Sequence, residues 1–460
     1  MNSTPEQLRF ASIPAHSVRA DFAGGGLSSD LGPVLLRGVD LQIGLTKRIA
    51  AALPDRRHQS YIDHSYHDLL TQRIYQIGCG YEDGNDSNGL RHDPMFKLGA
   101  ARLPFDDDAA LASGATISRF EHAASRQDIY RVSKALIEQF IAGFATQPKS
   151  LILDLDHSED SVYGQQPLAF YNHHYGSTCY LPLMIFDGVS GALVAAVLRP
   201  GKRPFGDENA MIMQRVLKLI RHHFPDTHIL VRGDGHFSGP ELMGLIDSMP
   251  NIDFIFGFSC NVKLLAMAEP TRLRACELWV AVQTQDVVPN AVRLFDEFTY
   301  RARSWPQSWR VLMKAEVMAL GENTRFIVTS LPGLDADMLY EEIYCARGQA
   351  ENYIKHLKDD LASDRTSCTS FLANCMRLLL HAAAYVLHQQ LRTQALQHTA
   401  LSQAQPSTVI AKLFKIAVQV RQCKNKIVLH LPSACPIKHL LKVLTERLYL
   451  STPAKILNSS

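Results

Sequence analysis

The 460-residue sequence lacks the patterns that mark membrane and secreted proteins. It has no run of 18 consecutive apolar residues, which a membrane-spanning helix would need. Its first ten residues, MNSTPEQLRF, do not combine the basic and apolar stretches of a signal peptide. The nine cysteines are scattered singly, without a CxxC pair or any sign of a disulfide framework. These absences predict a cytoplasmic protein with reduced cysteines and no membrane partner.

Acidic residues are nearly absent from the C-terminal part of the chain. Residues 365–460 contain 12 Lys and Arg but a single acidic residue, Glu446, which leaves 35 basic and 44 acidic residues in the first 364. The net charge of +2 therefore combines an acidic body of about −9 with a basic region of about +11. Such asymmetry indicates a polyanionic partner, and nucleic acid is the leading candidate because Lys and Arg neutralise phosphates. A basic surface without a partner is the alternative.

Residues 1–147 form the first predicted region, which is mainly helical and is interpreted as DNA-binding. Within it, residues 106–123 fit a helix-turn-helix, with a short helix, Gly114 at the turn and a second helix capped by Thr116. The second helix would present Ser118 and Arg119 near its N-terminal end, where recognition helices meet DNA. A plain helical hairpin fits the same residues equally well.

The middle of the chain alternates between strand and helix patterns. Three strands, a helix, a strand, a second helix and a fifth strand predict an α/β fold, with a mixed sheet flanked by helices. The β-rich insertion that follows comes before a long helix, and the chain ends in its most basic region. The predicted segments are the strands 150–156, 179–187, 191–199, 228–233 and 252–258, the insertion 262–336 with a strand over 278–284, the helix 335–361 and the basic region 401–460.

The predicted helix 335–361 places five polar side chains on one face. At 100° per residue they fall within an arc of about 80°, beside a separate apolar arc. One carboxylate among three cations suits a metal ion that faces a phosphate backbone, although a solvated charged face has the same pattern. These residues are Tyr344, Arg347, Glu351, Lys355 and Lys358.

Glu351 needs further carboxylates to hold a catalytic metal. Asp154 and Asp156 lie on the same face of the strand 150–156, and Asp234 comes just after the strand 228–233. Ligands collect at the carboxyl ends of strands in open α/β sheets. Each Asp alone fits a turn or a cap, but their joint placement with Glu351 predicts a site.

The spacing Tyr344-x2-Arg347-x3-Glu351-x6-Lys358 matches, without a gap, the Y-x2-R-x3-E-x6-K signature of bacterial insertion-sequence DDE transposases. Other stretches resemble the insertion-sequence thirteen-eighty group in particular, so that the similarity spans nearly the whole chain. These stretches are Asp93-Pro94, Leu111–Ser113, Tyr163–Gln166, Cys179–Leu183, Leu198–Gly201, Arg232–Asp234 and Asp364–Cys368.

The resemblance implies an RNase-H-like catalytic domain, made of residues 148–261 and 337–400 and interrupted by the β-rich insertion. It also implies that Asp156, Asp234 and Glu351 bind two Mg²⁺ ions, for which Mn²⁺ can substitute. Asp156 is preferred as the first carboxylate because Asp156-His157-Ser158 resembles the family's D-x-T more closely than Asp154 does. Asp154 stays the alternative, since His-Ser departs from that pattern.

The function implied is that of a DNA transposase, which binds the terminal inverted repeats of an insertion sequence, cleaves DNA by two-metal phosphoryl transfer and joins the ends to target DNA. Synapsis of two ends implies a dimer, and the bound protein would lie at the bacterial nucleoid. Two alternatives stay open, an RNase-H-like nuclease without strand transfer and a catalytically inactive, domesticated DNA-binding protein.

The same resemblance suggests roles in DNA binding. Arg347, Lys355 and Lys358 would bind phosphates beside the scissile bond, and Tyr344 would help to place a phosphate or a base. In the insertion, Trp305 and Trp309 would stack on an unpaired base during end processing.

Overall fold

The structure is a computed structural model that describes residues 7–106, 110–204, 206–284 and 289–450. The described chain forms two compact units. One is built from the residues up to 123 and from 383 onward, and the other from residues 124–382. The division between the two units falls at 123/124, and the DNA-binding region 1–147 stays a prediction.

The N-terminal part of the first unit begins with a hairpin of β1 (Leu8–Ile13) and β2 (His16–Ala20), followed by the short strand β3 (Leu27–Ser28). Helices follow, and side chains close in sequence determine where they begin. Ser65 and Asp68 form a reciprocal capping box at the start of the third helix. The helices are α1 (Gly32–Ile43), α2 (Leu45–Ala52), α3 (Tyr66–Gly78), α4 (Asp86–Leu90), α5 (Pro94–Gly99) and α6 (Gly114–His122), with a 3-10 turn at Gln59–Tyr61.

The region of the predicted helix-turn-helix differs from the expectation. Residues 110–113 have no regular structure, and residues 107–109 lie outside the described residues, so the short first helix is not observed in the described part. Helix α6 starts at Gly114 because the Ser113 side chain accepts a hydrogen bond from the Thr116 N–H. The prediction that Thr116 caps the helix and that Gly114 forms the turn was therefore wrong. Ser118 and Arg119 are exposed on α6.

The second unit is built on an eight-stranded mixed sheet, in the order β12-β13-β14-β11-β10-β4-β8-β9. Strand β10 pairs in parallel with both β4 and β11, and the other pairs in this sheet are antiparallel. The predicted mixed sheet with flanking helices is confirmed. Its first elements are α7 (Arg126–Ala142), β4 (Ser150–His157), β5 (Asp160–Ser161), β6 (Phe170–Asn172), β7 (Ser177–Tyr180), β8 (Leu183–Asp187), β9 (Leu193–Val197), α8 (Gly206–His223), β10 (His228–Gly233), α9 (Pro240–Asp247) and β11 (Ile252–Phe258).

The single strand predicted over 179–187 is divided in the structure. Strand β7 pairs with β5 and β6 in a separate three-stranded sheet, and β8 joins the main sheet. Pro182 lies between them and has no N–H to donate to a ladder, which explains why pairing stops there.

The insertion begins with a helix and extends the main sheet. Helix α10 (Val262–Val282) starts at Asn261, whose side chain accepts a hydrogen bond from the Leu264 N–H. The strand predicted over 278–284 was wrong, because its Trp and Val residues continue an established helix. Strands β12 (Ala291–Tyr300), β13 (Trp309–Met318) and β14 (Gly321–Thr329) follow, and β14 pairs with β11.

The predicted helix 335–361 is divided into short segments of different pitch. Gly348 ends one segment and lowers helix propensity at the centre of the stretch. Some of these segments are π-helical turns, which are frequent at functional sites. The segments are α11 (Ala336–Met338), a π-helical turn Leu339–Tyr344, a 3-10 turn Cys345–Gly348, α12 (Gln349–Lys355) and a π-helical turn His356–Asp360.

The next helix, α13 (Phe371–Gln390), continues into a π-helical turn at Leu391–Ala395. The stretch Phe371–Ala395 is long and apolar enough to cross a membrane, but 89% of its most apolar window is buried inside the structure, as in the core helices of soluble proteins. The remaining elements are α14 (Pro406–Val409), a π-helical turn Ile410–Phe414, β15 (Val418–Cys423), β16 (Lys426–His430), α15 (Lys438–Thr445) and a π-helical turn Glu446–Leu450; β15 pairs with both β16 and β3.

Candidate active site

Asp154 lies on β4 directly opposite Arg232 of β10. The guanidinium donates two hydrogen bonds to the carboxylate, from Nε to Oδ1 at 2.6 Å and from Nη2 to Oδ2 at 2.8 Å. The Asp154 side chain is 0% exposed, and burial raises its pKa despite the opposing effect of Arg232. Both oxygens of Asp154 are thus engaged inside the sheet.

Asp156, two residues further along β4, is placed differently. Its side chain is 15% exposed and lies near the carboxyl end of the strand. Burial raises the pKa of Asp156 to about 6; Arg347 lowers it, while the nearby charges of Asp234 and Glu351 raise it. The three predicted carboxylates therefore lie close enough to affect one another's charge.

Asp234 follows β10 and is held by a histidine two residues later. The backbone N–H of His236 donates a hydrogen bond to Asp234 Oδ1 at 2.9 Å, and the imidazole Nδ1 of His236 lies 3.1 Å from Asp234 Oδ2. Burial alone would raise the pKa of Asp234, but His236 and then Arg347 outweigh it, so that this pKa is lowered. The hydrogen bond to Asp234 raises the pKa of His236. His236 was not among the predicted site residues, although its place two residues after a strand-end aspartate is the spacing of an Asx turn.

Arg347 joins the helical segment to β4. Its Nη1 lies 3.3 Å from Asp156 Oδ2, and its Nη2 lies 3.7 Å from Glu351 Oε1. The Glu351 side chain is 66% exposed, whereas that of Arg347 is 14% exposed. One partly buried cation thus lies between two carboxylates from separate elements.

Tyr344 packs against the end of β11 and the turn after β10. A Cβ added at Gly257 would lie 2.7 Å from the Tyr344 hydroxyl and 2.9 Å from the Gly235 nitrogen. Only glycine allows this close approach, because any larger residue at 257 would push Tyr344 and the Asp234 turn apart. Burial raises the pKa of Tyr344.

The two lysines of the motif have different surroundings. Lys358 is half-buried and donates a hydrogen bond to the backbone carbonyl of Glu159. Lys355 is exposed. Near Lys358 lies Asp160, a fully buried residue whose pKa is raised to about 8 by burial.

Trp305 and Trp309, predicted to stack on a base, lie in the core of the second unit. Their exposures are 4% and 5%, and their ring centroids are 5.0 Å apart. Phe258 packs against Trp305, and Phe254 packs against Trp309. The predicted base-stacking role requires that the two rings are accessible to DNA. This burial argues against that role, because both rings would have to leave the core to contact DNA.

A cavity of about 440 Å³ opens beside Asp234. Its walls combine aromatic rings, hydrogen-bonding groups and one guanidinium, so that it is wide enough and polar enough for part of a nucleotide. The lining residues are His157, Asn172, His174, Tyr175, Leu181, Arg203, Pro204, Asp234, Gly235, His236 and Ser259.

Among the described residues, no group of three or more His, Cys, Asp or Glu side chains is arranged to hold a metal ion. The chemistry of Asp156, Asp234 and Glu351 nevertheless suits a hard divalent cation, which takes carboxylate oxygens as ligands. The raised pKa of Asp156 fits the same conclusion, because burial beside two acidic groups leaves negative charge that a cation would neutralise.

In the comparison with known proteins, one protein family matches nearly the entire chain. The sequence profile described as transposase DDE domain group 1 matches residues 10–453. No curated protein matches the sequence. Among solved structures, the cryo-EM structure of the piggyBac transposase synaptic complex with hairpin DNA aligns over 83% of this chain and 79% of that chain, with a TM-score of 0.41 and 11% sequence identity. Because the profile covers almost every residue, including those of the carboxylate cluster, the chain belongs to the transposase DDE domain group 1 family.

Proposed function

We propose that this DDE transposase binds the terminal inverted repeats of an insertion sequence, cleaves DNA by phosphoryl transfer and joins the ends to target DNA. One observation carries the proposal. Asp156 at the end of β4, Asp234 after β10 and Glu351 on α12 come from three separate elements, yet Arg347 lies 3.3 Å from Asp156 and 3.7 Å from Glu351. Burial, together with the charges of Asp234 and Glu351, raises the pKa of Asp156 to about 6. Such convergence of acidic groups is typical of sites that perform chemistry.

We propose further that the second unit contains an RNase-H-like catalytic domain. Strands β4, β8 and β9 form an antiparallel meander, and β10 and β11 extend it in parallel from the other side of β4. This arrangement supports the proposal because it brings the carboxyl ends of β4 and β10 side by side, where Asp156 and Asp234 lie. The insertion-sequence thirteen-eighty group stays a prediction.

Asp156 is the proposed first carboxylate. The bidentate pair with Arg232 leaves Asp154 without a free oxygen, whereas Asp156 remains partly exposed beside the other two acids. Asp156, Asp234 and Glu351 would hold two Mg²⁺ ions, for which Mn²⁺ could substitute. A bound cation would supply Lewis acidity at the phosphorus.

The chain's own cations would position the substrate. Arg347 would turn from its carboxylate partners to a phosphate of the DNA backbone, since its planar guanidinium matches both groups. Lys355 is exposed and would contact the backbone next to it. Lys358 has a different proposed role, because its hydrogen bond to Glu159 fixes the chain after β4. The Tyr344 hydroxyl would keep the Asp234 turn in place.

DNA is the proposed partner of both units, with a dimer in the synaptic complex. The exposed Ser118 and Arg119 of α6, in the first unit, are candidate contacts, and the basic C-terminal region 401–460 is another. Phosphate contacts would make this binding strongly salt-dependent.

The test is an assay of DNA cleavage and joining with Mg²⁺ and duplexes that carry candidate terminal repeats. Asp156→Asn, Asp234→Asn and Glu351→Gln should each lower cleavage by a factor of at least about 10³, on the scale of other essential catalytic groups. Glu342→Gln is the matched control, since Glu342 is exposed on the π-helical turn Leu339–Tyr344, outside the three carboxylates. Cleavage that survives Asp234→Asn or Glu351→Gln would sink the assignment.

The products separate the alternative functions. A nuclease without strand transfer would cut the ends but yield no joined product. A domesticated DNA-binding protein would bind the same duplexes and leave them intact in Mg²⁺ and in Mn²⁺.

A further inference from the structure

The β1–β2 hairpin is a solvent-exposed ribbon at the start of the described chain. Every residue of its two strands is exposed, and the two strands form a sheet of their own. A two-stranded ribbon is marginally stable alone in water, so that its persistence usually depends on a partner surface.

The two faces of the ribbon differ in chemistry. Arg9 pairs directly with Arg19, which puts both guanidinium groups on one face. The flanking pairs put apolar side chains on the other face. These apolar residues are Leu8, Phe10, Val18 and Ala20.

The charges of the ribbon are of one sign. Residues 7–20 contain Arg9 and Arg19 but no Asp or Glu. Like charges directly opposite one another destabilise a strand pair, and Arg9 lies directly opposite Arg19. Arg19 donates a hydrogen bond to the Gln7 side-chain oxygen at 3.1 Å. An anionic partner would remove this repulsion.

We propose that the β1–β2 ribbon is a DNA-binding arm whose Arg9–Arg19 face contacts the phosphates and groove of duplex DNA. The major groove admits a two-stranded ribbon, and a six-residue strand spans roughly 20 Å. The proposal rests on DNA being the partner of this transposase. A second copy of the chain is a poorer occupant of this face, because it would bring the same two positive charges against themselves.

The salt dependence of DNA binding tests the arm. Full-length protein is titrated, in EDTA, into a fluorescent 40-base-pair duplex of random sequence at several KCl concentrations. Replacing both arginines (Arg9→Ala with Arg19→Ala) should lower the slope of log K against log[KCl] by about 1.8, the value for two lost phosphate contacts. The affinity at low salt should fall about 10- to 100-fold, while the melting temperature stays unchanged.

Two further variants sharpen the result. The lysine pair Arg9→Lys with Arg19→Lys should keep the slope if the contacts are to phosphates. The control pair Arg274→Ala with Arg303→Ala removes two exposed arginines of the second unit and should leave the slope as in the wild type. An equal loss in that control would overturn the proposal, since it would show that total charge alone matters.

Other outcomes also decide the matter. If Phe10→Ser with Val18→Ser converts a dimer to a monomer while the arginine variants bind DNA normally, the ribbon is an interface between copies and the proposal fails. If the wild type binds DNA with a steep salt dependence that the arginine variants share, only the arm is refuted. If the wild type does not bind DNA at all, the proposed function fails as well.

Discussion

Arg347 contacts Asp156 across 191 residues of sequence, with its Nη1 3.3 Å from the carboxylate Oδ2. The same guanidinium lies 3.7 Å from Glu351, so that one side chain links β4 to α12. Arg347 lowers the pKa of Asp156 against the burial that raises it. The arginine of the motif is thus part of the electrostatics of the carboxylate cluster, in addition to its proposed contact with DNA.

Replacing Arg347 with alanine should lower DNA cleavage by roughly 10²–10³, the cost of losing one oriented charge in an active site. The pKa of Asp156 should rise further above 6, because the guanidinium that lowers it is lost, and the acid limb of the cleavage–pH profile should move to higher pH. Arg347→Lys should restore part of the rate. The profile is measured from pH 5 to 9, with Arg303→Ala as the exposed control. A profile that stays in place would refute the link between Arg347 and Asp156.

Asp154 and Asp156 should respond in opposite ways to substitution. Asp154→Ala leaves Arg232 buried without its carboxylate, and breaking such a buried pair costs about 3–5 kcal/mol of stability. Asp156→Ala should leave thermal stability unchanged or higher, since burial disfavours the charged form of this residue, and should abolish cleavage. Thermal unfolding and cleavage per folded molecule are measured for both. The reverse pattern would make Asp154 the first catalytic carboxylate.

The parts that the sequence predicted well are those in which short-range patterns decide the structure. The strands 228–233 and 252–258 have the predicted bounds, because apolar runs end there at polar or turn residues. Residues 278–284 have a strand-like composition, but 278–282 continue a helix that starts at Val262, 16 residues before Leu278. A local sequence pattern does not show whether a helix that begins at a distant cap will continue through residues with high β propensity.

The site shows the same limit. Asp156, Asp234 and Glu351 could be proposed from strand ends and motif spacing, and the structure brings them together. The pairing of Asp154 with Arg232 depends on the parallel register of β4 and β10, which no single segment encodes. Burial likewise depends on the whole sheet, and Trp305 and Trp309 could not be recognised as core residues before the strands were assembled.

Trp305 and Trp309 should matter for folding rather than for DNA processing. Alanine at either position removes a large buried ring and should destabilise the protein by about 3–5 kcal/mol. Trp305→Phe should cost less and should leave cleavage per folded molecule within about twofold of the wild type, because an aromatic ring still packs on Phe258. Chemical unfolding and cleavage of duplex ends are measured together. A stable Trp305→Phe variant that no longer processes ends would reinstate the base-stacking role.

Asp160 makes stability depend on pH. It is fully buried, and in the described part of the chain neither carboxylate oxygen has a hydrogen-bond partner. Burial raises its pKa from 3.8 to about 8; Lys358 lowers it, and Asp364 and Glu159 raise it. The folded state therefore holds a proton that the unfolded chain releases above about pH 4, so that stability falls as the pH rises from about 4 to about 8.

Asp160→Asn should remove this fall, because the amide is neutral at every pH in that range. The difference in melting temperature between the variant and the wild type should grow from pH 4 to pH 8 and level off above pH 8. Each kcal/mol of added stability should raise the melting temperature by roughly 2–4 °C. Asp359→Asn is the control, since Asp359 is exposed on the neighbouring π-helical turn. Thermal unfolding is followed at one-unit pH intervals. Parallel curves for Asp160→Asn and the wild type would mean that Asp160 is ionised in the folded protein, and Lys358 would then have to neutralise it.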